Sequence, residues 1–470
     1  MLDYKQIYLD CRKSLKNKNA DGIATFDKAF LFAEKLHDGQ FRKSGEPYIL
    51  HPVQVMQILE QLDFDTDVLS AALLHDVIED CNITKQQLAK EFNNNIAQIV
   101  DSVSEFVDKT QDKWVTELKS YQKLVSIGKQ NLFAFYIKFA DRLNNMSTLS
   151  VFPHYKQLDK VKQTEKYVLP IAKLLKSHFF DSKISNLCYF YSLDKLTQEK
   201  LGKMYQKSLD TTKKYVENVK INIKNELLET LSKTNNGKLK DIIVTDIDLL
   251  EVKNNIFNFY HLTDETEIKS SCFVSSALYE MNIIVDECEN LNGMFVDFCS
   301  LPVVKSLLSF CDFKIDEYGQ YFIMETPQRV RIKVFLCNSE GFILRRNGSL
   351  QGVFSALLEE DFEQKIETDY ICVYTPTDEK IFMPKNSTVL DFAFKIHKDF
   401  GFSVLNAYLN DSPAKSPIWT HLSPNDKIKL EIARDENGQP LVIAKIRWLS
   451  YAHCEYSHKA LIKYFERLYE

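Results

Sequence analysis

The stretch LLHDVIED at residues 73–80 places four ionisable side chains inside an apolar segment with helical spacing. Burying ionisable groups among apolar residues is costly unless they are paired or bound to a metal. Glu79 and Asp80 follow His75 and Asp76 by four residues each, so the pattern predicts one polar stripe on a continuous apolar helix. A half-exposed helix with a charged face explains the stretch equally well.

Two other segments supply side chains of the same chemistry. One predicted helix opens with His51, and a later one carries Asp141 with Asn145 and Thr148 on the same face. A histidine such as His51, taken alone, is more often a core or capping residue. The combined nitrogen and oxygen ligands suit Mn²⁺ or Mg²⁺ better than Fe²⁺ or Zn²⁺. The predicted ligands of one divalent cation are His51, His75, Asp76 and Asp141.

A polar loop, GQFRKSGEPY at residues 39–48, lies between predicted helices. Arg42 and Lys43 supply cations, and Ser44 lies in an open stretch of backbone. That composition suits a phosphate-bearing ligand or a base stacked on a guanidinium. An ordinary solvated turn is the alternative for the loop alone.

Composition narrows the class of protein. The 470 residues are 45% hydrophobic and 26% charged, which excludes a disordered chain, and 13 Gly and 12 Pro exclude a collagen-like one. A net charge of −6 argues against a surface devoted to nucleic acid. No apolar run is long enough to span a bilayer, and no signal peptide is visible. The ten cysteines are isolated, so we expect buried free thiols and a cytoplasmic protein without membrane contact.

Periodicity predicts a multidomain chain, with about three domains expected from its length. Residues 1–185 are predicted to be all-α, with Asp65 and Thr84 as helix N-caps. Residues 196–360 are predicted to be α+β, and 370–434 a small unit with a hairpin, one helix and two further strands. The predicted strands of the middle domain are 241–244, 281–285, 293–298, 321–324 and 330–336. Its predicted helices are 303–310 and 352–358, and 359–369 is a predicted linker.

In the small unit, we predict a hairpin of residues 371–374 and 380–383 and strands at 404–409 and 427–432. The helix at 388–398 is predicted to be capped by Ser387 and closed by Gly401. Residues 435–470 are predicted to be a separate C-terminal segment ending in an amphipathic helix at 457–469.

Three motifs together resemble the hydrolase domain of the RelA/SpoT homologue family. They are H-x-GQ-x-RKSGEPYI-x-HP at 37–52, AALLHDVIED at 71–80 and K-x-ADRLNNM-x-TL at 138–149, and the resemblance covers residues 26–175. It implies an HD-superfamily enzyme that uses Mn²⁺ to hydrolyse the 3′-pyrophosphate of ppGpp and pppGpp, which yields GDP or GTP and pyrophosphate.

The resemblance assigns roles by position. His51, His75, Asp76 and Asp141 match the metal ligands, and Glu79 and Asp80 match the acidic pair that serves catalysis. The residues that match the nucleotide pocket are Arg42, Lys43, Ser44, Asn145, Thr148 and Tyr167. Asn144 stands where the family usually has His, and because it is not among the ligands we expect little effect on the site.

Two later regions also resemble family domains. Residues 196–360 correspond to the alarmone synthetase domain, but its motifs are replaced at 252–257, 318–322 and 329–334. We therefore expect a degenerate domain without synthesis, acting as a scaffold or allosteric regulator; an unrelated α+β insertion is the alternative. Residues 370–434 resemble the TGS domain, a β-grasp module that contacts tRNA in ribosome-associated relatives.

The TGS match has one departure. Gly401 is followed by Phe402 where those relatives usually have His, so the sequence does not favour contact with nucleic acid or the ribosome but leaves such contact open through the TGS domain. The family's later domains have no room after residue 470, which favours alarmone removal over starvation-triggered synthesis.

Two other functions remain open from the sequence. One is an HD hydrolase acting on an adenosine alarmone or another phosphorylated nucleotide. The other is a non-catalytic, alarmone-binding regulatory protein, against which the complete set of site residues argues. The sequence does not establish the oligomeric state.

Overall fold

The computed structural model divides the chain into two compact units, Met1–Leu358 and Glu359–Glu470. It describes residues 3–15, 18–42, 45–104, 123–124, 126, 131–174, 176–234, 236–274, 276–287, 291–307, 309–315, 318–348, 370–436 and 438–469. Multidomain architecture is confirmed: a helical N-terminal part, a mixed α/β middle part and a small β-rich C-terminal part.

The N-terminal part is predominantly helical in its described residues. Its helices are α1 (Tyr4–Ser14), α2 (Ala20–Leu36), α3 (Leu50–Glu60), α4 (Thr66–Leu73), α5 (Val77–Asp80), α6 (Lys85–Glu91), α7 (Asn94–Val103), α8 (Phe133–Ser147), α9 (His154–Gln163), α10 (Leu169–Leu174) and α11 (His178–Ser192). Helices α3, α4 and α8 pack against one another. Thr84 caps α6 through a capping box, whereas Asp65 is at the N-cap of α4 without a side-chain cap bond.

The apolar helix predicted through residues 73–80 is broken. Helix α4 ends at Leu73 and α5 begins at Val77, so His75 and Asp76 lie in the turn between them. The Nδ1 atom of His75 lies 2.8 Å from the carbonyl oxygen of Ala72, which a continuous helix would use for a backbone bond. This competition between side chain and backbone explains the break, and the predicted single stripe of four polar groups is wrong.

A five-stranded sheet forms the middle part, with helices against it. The elements are α12 (Lys195–Thr234), β1 (Lys238–Asp246), α13 (Leu249–Tyr260), α14 (Ser270–Val274), β2 (Ala277–Asp286), α15 (Leu291–Ser300), α16 (Pro302–Lys305), β3 (Ser309–Ile315), β4 (Gln320–Glu325), β5 (Arg331–Cys337) and α17 (Ser339–Asn347). The strand order is β1-β2-β5-β4-β3, and only the β2–β5 pair in it is parallel.

Four of the five predicted strands are confirmed in this sheet. The fifth, 293–298, is wrong because it lies within α15, where Met294 and Phe298 are buried one helical turn apart. A short apolar run does not by itself separate strand from helix. The helix predicted at 303–310 was too long. Helix α16 ends at Lys305, and β3 begins at Ser309. The predicted helix 352–358 and linker 359–369 lie outside the described residues.

Polar contacts join the end of α17 to the helical part. Tyr136 Oη donates to the carbonyl of Asn347 over 2.9 Å, and Asn347 Nδ2 donates to the carbonyl of Leu62 over 2.9 Å. Helix α11 crosses residue 185 and packs against both α8 and α13. The first two predicted domains therefore form one compact unit, and their boundary at 185–196 stays a prediction.

A buried carboxylate on β2 is neutralised within the sheet. Glu280 receives two hydrogen bonds from Arg345, 2.7 and 2.9 Å long, and lies 3.4 Å from Lys333 Nζ. Burial opposes its ionisation, but Arg345 and Lys333 outweigh burial and lower the pKa of Glu280 to about 2. Because that pKa is lower than in the unfolded chain, the pair stabilises the fold above about pH 4.5, and the stabilisation is lost as pH falls toward 2.

The substitution Arg345→Ala is expected to lower the free energy of unfolding by about 3 kcal/mol, because it leaves Glu280 buried with only Lys333 as a cation. Lys233→Ala is the control, since its partner Glu229 is exposed and solvent-exposed ion pairs contribute little to stability. Urea unfolding at pH 7 measures the free energy of unfolding of both variants. Equal losses in the two variants would contradict the stabilising role of the pair formed by Arg345 and Glu280.

The second unit contains a hairpin of β6 (Tyr370–Tyr374) and β7 (Lys380–Pro384), and a three-stranded sheet in the order β10-β8-β9. Its other elements are α18 (Val389–Ile396), α19 (Lys398–Ser403), β8 (Val404–Leu409), β9 (Lys415–Pro417), β10 (Ile428–Ile432) and α20 (Glu455–Tyr469). The predicted hairpin, strands and C-terminal helix are confirmed, and β9 was missed.

The prediction for the helix of this unit was wrong at both ends. Thr388, not Ser387, caps α18 through a capping box with Asp391. Gly401 does not close that helix; it lies in α19, where a β-carbon would come within 2.1 Å of the Phe394 ring. Close packing, and not a left-handed turn, therefore requires glycine at this position.

Residues after 435 contribute to the core of this unit, and the domain boundary at 435 stays a prediction. Trp448, Leu461 and Phe465 belong to its buried cluster. The buried carboxylate of Asp391 also accepts hydrogen bonds from the backbone amides of His453 and Cys454, 3.1 and 3.0 Å long.

The described residues bear on the membrane-spanning segments and on the state of the cysteines. No helix among them is sufficiently long and apolar to cross a bilayer. The cysteines whose side chains are described are free thiols: Cys11, Cys81, Cys188, Cys272, Cys299, Cys337, Cys372 and Cys454.

Candidate functional site: a buried cluster of histidines and carboxylates

The four predicted metal ligands meet in the helical part. His51 comes from the first turn of α3, His75 and Asp76 from the turn after α4, and Asp141 from the middle of α8. His51 Nε2 lies 3.2 Å from Asp141 Oδ1 and 3.6 Å from Asp76 Oδ2, and His75 Nε2 lies 3.1 Å from Asp76 Oδ1. His51, His75 and Asp141 offer ligand atoms within 4.8 Å of one another, so they could hold one divalent metal.

Each imidazole is held through its Nδ1 atom. His51 Nδ1 lies 2.7 Å from Asn144 Oδ1, and His75 Nδ1 lies 2.8 Å from the Ala72 carbonyl. Both contacts place a proton on Nδ1 and leave Nε2 facing the site. His75 Nε2 is buried and forms no hydrogen bond with any described residue. A buried nitrogen of this kind needs a ligand, and a metal ion fits it.

Burial and charge act against each other in the cluster. Burial opposes protonation of His51, but the Asp141 and Asp76 carboxylates outweigh it and raise the His51 pKa. Burial also opposes ionisation of Asp141, yet the hydrogen bond with His51 and the charge of Lys138 lower its pKa. The Asp141 carboxylate is therefore ionised, and the positive charge of the protonated His51 ring stabilises it.

Polar neighbours fix the carboxylates. Asn145 Nδ2 donates to Asp141 Oδ1 over 2.6 Å, and Arg42 donates to Asn145 Oδ1 over 2.9 Å. Tyr48 Oη donates to Asp76 Oδ2 over 2.9 Å. Two residues predicted to bind nucleotide are thus joined in a chain to one predicted metal ligand.

Two cavities meet at this cluster. The metal-side cavity, of about 170 Å³, is lined by the four predicted ligands and Glu79. A neighbouring cavity of about 460 Å³ shares Arg42, Tyr48, Asp141 and Asn145 with it. The larger cavity is partly apolar; its further lining residues are Phe41, Arg142, Met146, Thr148, Leu149, Val151, Phe152 and Lys160.

The remaining predicted site residues fall in different places. Glu79 is half-buried in the metal-side cavity, whereas Asp80 is exposed and lines neither cavity. Thr148 lines the larger cavity, and Tyr167 is buried without lining either. Lys43 and Ser44 lie outside the described residues. The assignment of roles to all these residues stays a prediction.

Sequence reasoning gave no role to three residues that the fold brings into contact with the site. Lys138 Nζ lies 3.6 Å from Asp141 Oδ2, and Tyr48 contacts Asp76. Both stand within the quoted motifs, which was the available signal. Asn144 is not among the candidate ligands, as predicted, but it contacts His51 directly. Only the tertiary structure shows that contact.

Comparison with known proteins agrees with this geometry. Residues 29–173 match the HD domain family, and residues 371–431 match the TGS domain family. Both matches are consistent with the resemblance to the RelA/SpoT homologue family. The HD match contains every predicted ligand, and members of this domain family bind a divalent metal, which fits the buried cluster.

Curated relatives span the described domains. A guanosine-3′,5′-bis(diphosphate) 3′-pyrophosphohydrolase of Vibrio cholerae is 25% identical over 91% of this chain and 63% of its own length. The bifunctional (p)ppGpp synthase/hydrolase SpoT of Escherichia coli is 25% identical over 84% of this chain and 59% of its own length. The chain thus covers less than two thirds of these relatives. A solved structure of a metazoan SpoT ortholog that hydrolyses ppGpp is 24% identical to this chain. The aligned region covers 35% of this chain and 93% of that structure, and the TM-score is low, at 0.31.

A divalent cation is expected to stabilise the protein, by about 2.7 kcal/mol at one hundred times its dissociation constant, because it binds only the folded site. His75→Ala removes one of the candidate ligand atoms and should abolish this stabilisation. Thermal unfolding with and without Mn²⁺ measures it. His397→Ala, at an exposed position in the second unit, should retain the wild-type stabilisation by Mn²⁺. If His75→Ala is stabilised by Mn²⁺ as much as wild type, the assignment of the metal site is refuted.

Proposed function

We propose that the chain hydrolyses the 3′-pyrophosphate of ppGpp and pppGpp in a manganese-dependent reaction, releasing GDP or GTP and pyrophosphate. The observation that carries this proposal is the pair of adjoining cavities. A compact polar cavity beside four potential metal ligands suits a diphosphate, and a larger, partly apolar cavity suits a nucleoside. The activities of the similar proteins from Vibrio cholerae and Escherichia coli support the same substrate class.

Residues shared by the two cavities connect the parts of such a substrate. Arg42 lies at their junction, where its guanidinium can neutralise phosphate charge as it increases in the transition state. Its hydrogen bond to Asn145 directs it toward Asp141. A divalent cation held by His51, His75, Asp76 and Asp141 would supply Lewis-acid activation of water and of a phosphoryl oxygen.

Position separates the two acidic candidates. Glu79 lines the metal-side cavity, which supports a role for its carboxylate in orienting the attacking water and accepting its proton. Asp80 is exposed outside both cavities and influences Tyr48, whose pKa is raised first by burial and then by Asp76 and Asp80. We therefore propose Glu79 as the general base and Asp80 as a residue that acts through Tyr48.

Glu79→Gln is expected to reduce turnover of ppGpp by at least about 100-fold with Mn²⁺ present, because the amide cannot accept a proton. Asp80→Asn should reduce turnover of ppGpp by a smaller factor. Pyrophosphate release from ppGpp, with the adenosine analogue ppApp as comparison substrate, measures both variants. Glu91→Gln, at an exposed position, controls for the loss of a carboxylate. Wild-type turnover by Glu79→Gln would refute the proposed role.

The middle part is proposed to lack alarmone synthesis. Glu280 in the sheet is not available to hold Mg²⁺ for synthesis, because Arg345 donates to both of its oxygens. Arg329 stands where the family's synthetase motif has its catalytic glutamate. A cavity of about 830 Å³ beside Glu280 remains, so a scaffold or regulatory role is proposed for this part.

Incubation of the wild-type chain with GTP, ATP and Mg²⁺ is expected to yield no ppGpp or pppGpp, while the same preparation hydrolyses added ppGpp with Mn²⁺. Chromatography of the nucleotides detects both reactions in one sample, and Glu79→Gln prevents any new product from being consumed. Alarmone formed by that variant would refute the proposed loss of synthesis.

A further inference from the structure

Both ring nitrogens of His51 are held by residues of one helix. Asp141 Oδ1 lies 3.2 Å from Nε2, and Asn144 Oδ1 lies 2.7 Å from Nδ1. Residues three apart on a helix project on the same side, so α8 can contact the two nitrogens of a ring that α3 presents. The side chains of His51 and Asn144 are both buried, at 2% and 5% exposure.

The direction of the bond between His51 and Asn144 follows from what Nε2 must do. A metal on Nε2 requires that the proton of the neutral ring sit on Nδ1, and a fully protonated ring also carries a proton there. Asn144 must therefore present its oxygen to His51 in both states. Its Nδ2 then points the other way and donates to Gln54 Oε1 over 3.1 Å.

The two histidines differ in what fixes them. His75 uses the Ala72 carbonyl of its own turn, a contact across three residues that local structure supplies. The contact of His51 spans 93 residues of sequence and depends on the packing of α3 against α8. Backbone geometry alone does not fix the His51 ring; its orientation requires the side chain at position 144.

We propose that Asn144, oriented by Gln54, is the positioning residue that sets the Nδ1-protonated form of His51 and so prepares Nε2 to bind a divalent cation. This inference rests on the metal site of the proposed function. Partners of metal-bound histidines typically change metal affinity by about 10- to 100-fold when removed. A side chain that only fills space would not have this effect.

The test is a calorimetric titration of the full, metal-free chain with Mn²⁺ and no nucleotide. Asn144→Ala is expected to bind Mn²⁺ about 10- to 100-fold more weakly than wild type. Asn144→Asp should restore binding to at least the wild-type level, because a carboxylate accepts the same proton from His51 and Gln54 can rotate its amide to donate to it. Gln54→Ala should show a smaller loss, since it removes only the orientation of Asn144.

Gln198→Ala is the matched control. Gln198 is also a buried amide, and it donates to the Leu193 carbonyl far from the site in sequence, so its loss should leave Mn²⁺ affinity unchanged. Circular dichroism checks that each variant is folded. Wild-type affinity in folded Asn144→Ala, or an equal loss in Asn144→Asp, overturns the proposal; if Asn144→Ala does not fold, wild-type affinity in Gln54→Ala overturns it.

A kinetic measurement separates positioning from catalysis. In Asn144→Ala, ppGpp hydrolysis should recover toward the wild-type rate as Mn²⁺ is raised to saturation, whereas Glu79→Gln should not recover. Failure to recover would overturn a role confined to metal binding. If the wild-type chain binds Mn²⁺ but hydrolyses no ppGpp, the proposed function fails while the calorimetric result for Asn144 still stands.

Discussion

The functional site depends on charge compensation in a buried space. His51 Nε2 and Asp141 Oδ1 lie 3.2 Å apart, and they come from helices far separated in sequence. Burial raises the pKa of the Asp141 carboxyl, and its neighbours His51, Lys138 and His75 reverse that effect. Removing one member would leave a charge without compensation, which is strongly destabilising in a protein interior. The packing of α3, the turn after α4 and α8 must therefore keep all the groups together.

At His75, the local backbone departs from a continuous helix so that the site can form. A continuous helix through residues 73–80 would satisfy every backbone group, yet the chain turns there and gives the Ala72 carbonyl to an imidazole. The turn places His75 and Asp76 beside His51, and it leaves Glu79 in the same cavity while Asp80 faces solvent. Departures from local preference of this kind are common at functional sites.

The middle part resolves a similar electrostatic problem with different partners. Glu280 is as buried as Asp141, but guanidinium and ammonium groups neutralise it, and these are permanent cations at neutral pH. Imidazoles at the HD site can instead release a proton and offer a lone pair to a metal. One buried carboxylate is thus available for metal chemistry, whereas the other is already occupied by protein cations.

The sequence alone predicted the candidate ligands, and it determined the helical first part and the small β-rich last part, because motif spacing and periodicity are local properties. It predicted His51, His75, Asp76 and Asp141 as one set, and the fold brings them together. It failed where neighbouring structure decides between local alternatives: the strand predicted at 293–298 is a helix packed on the sheet, and the helix through His75 is a turn. Tertiary structure alone decided that Asn144 contacts His51, and that Glu79 and not Asp80 lines the cavity. It also decided that Arg345 binds the carboxylate of Glu280. Each of these depends on side chains distant in sequence meeting in a buried space, which no local pattern encodes.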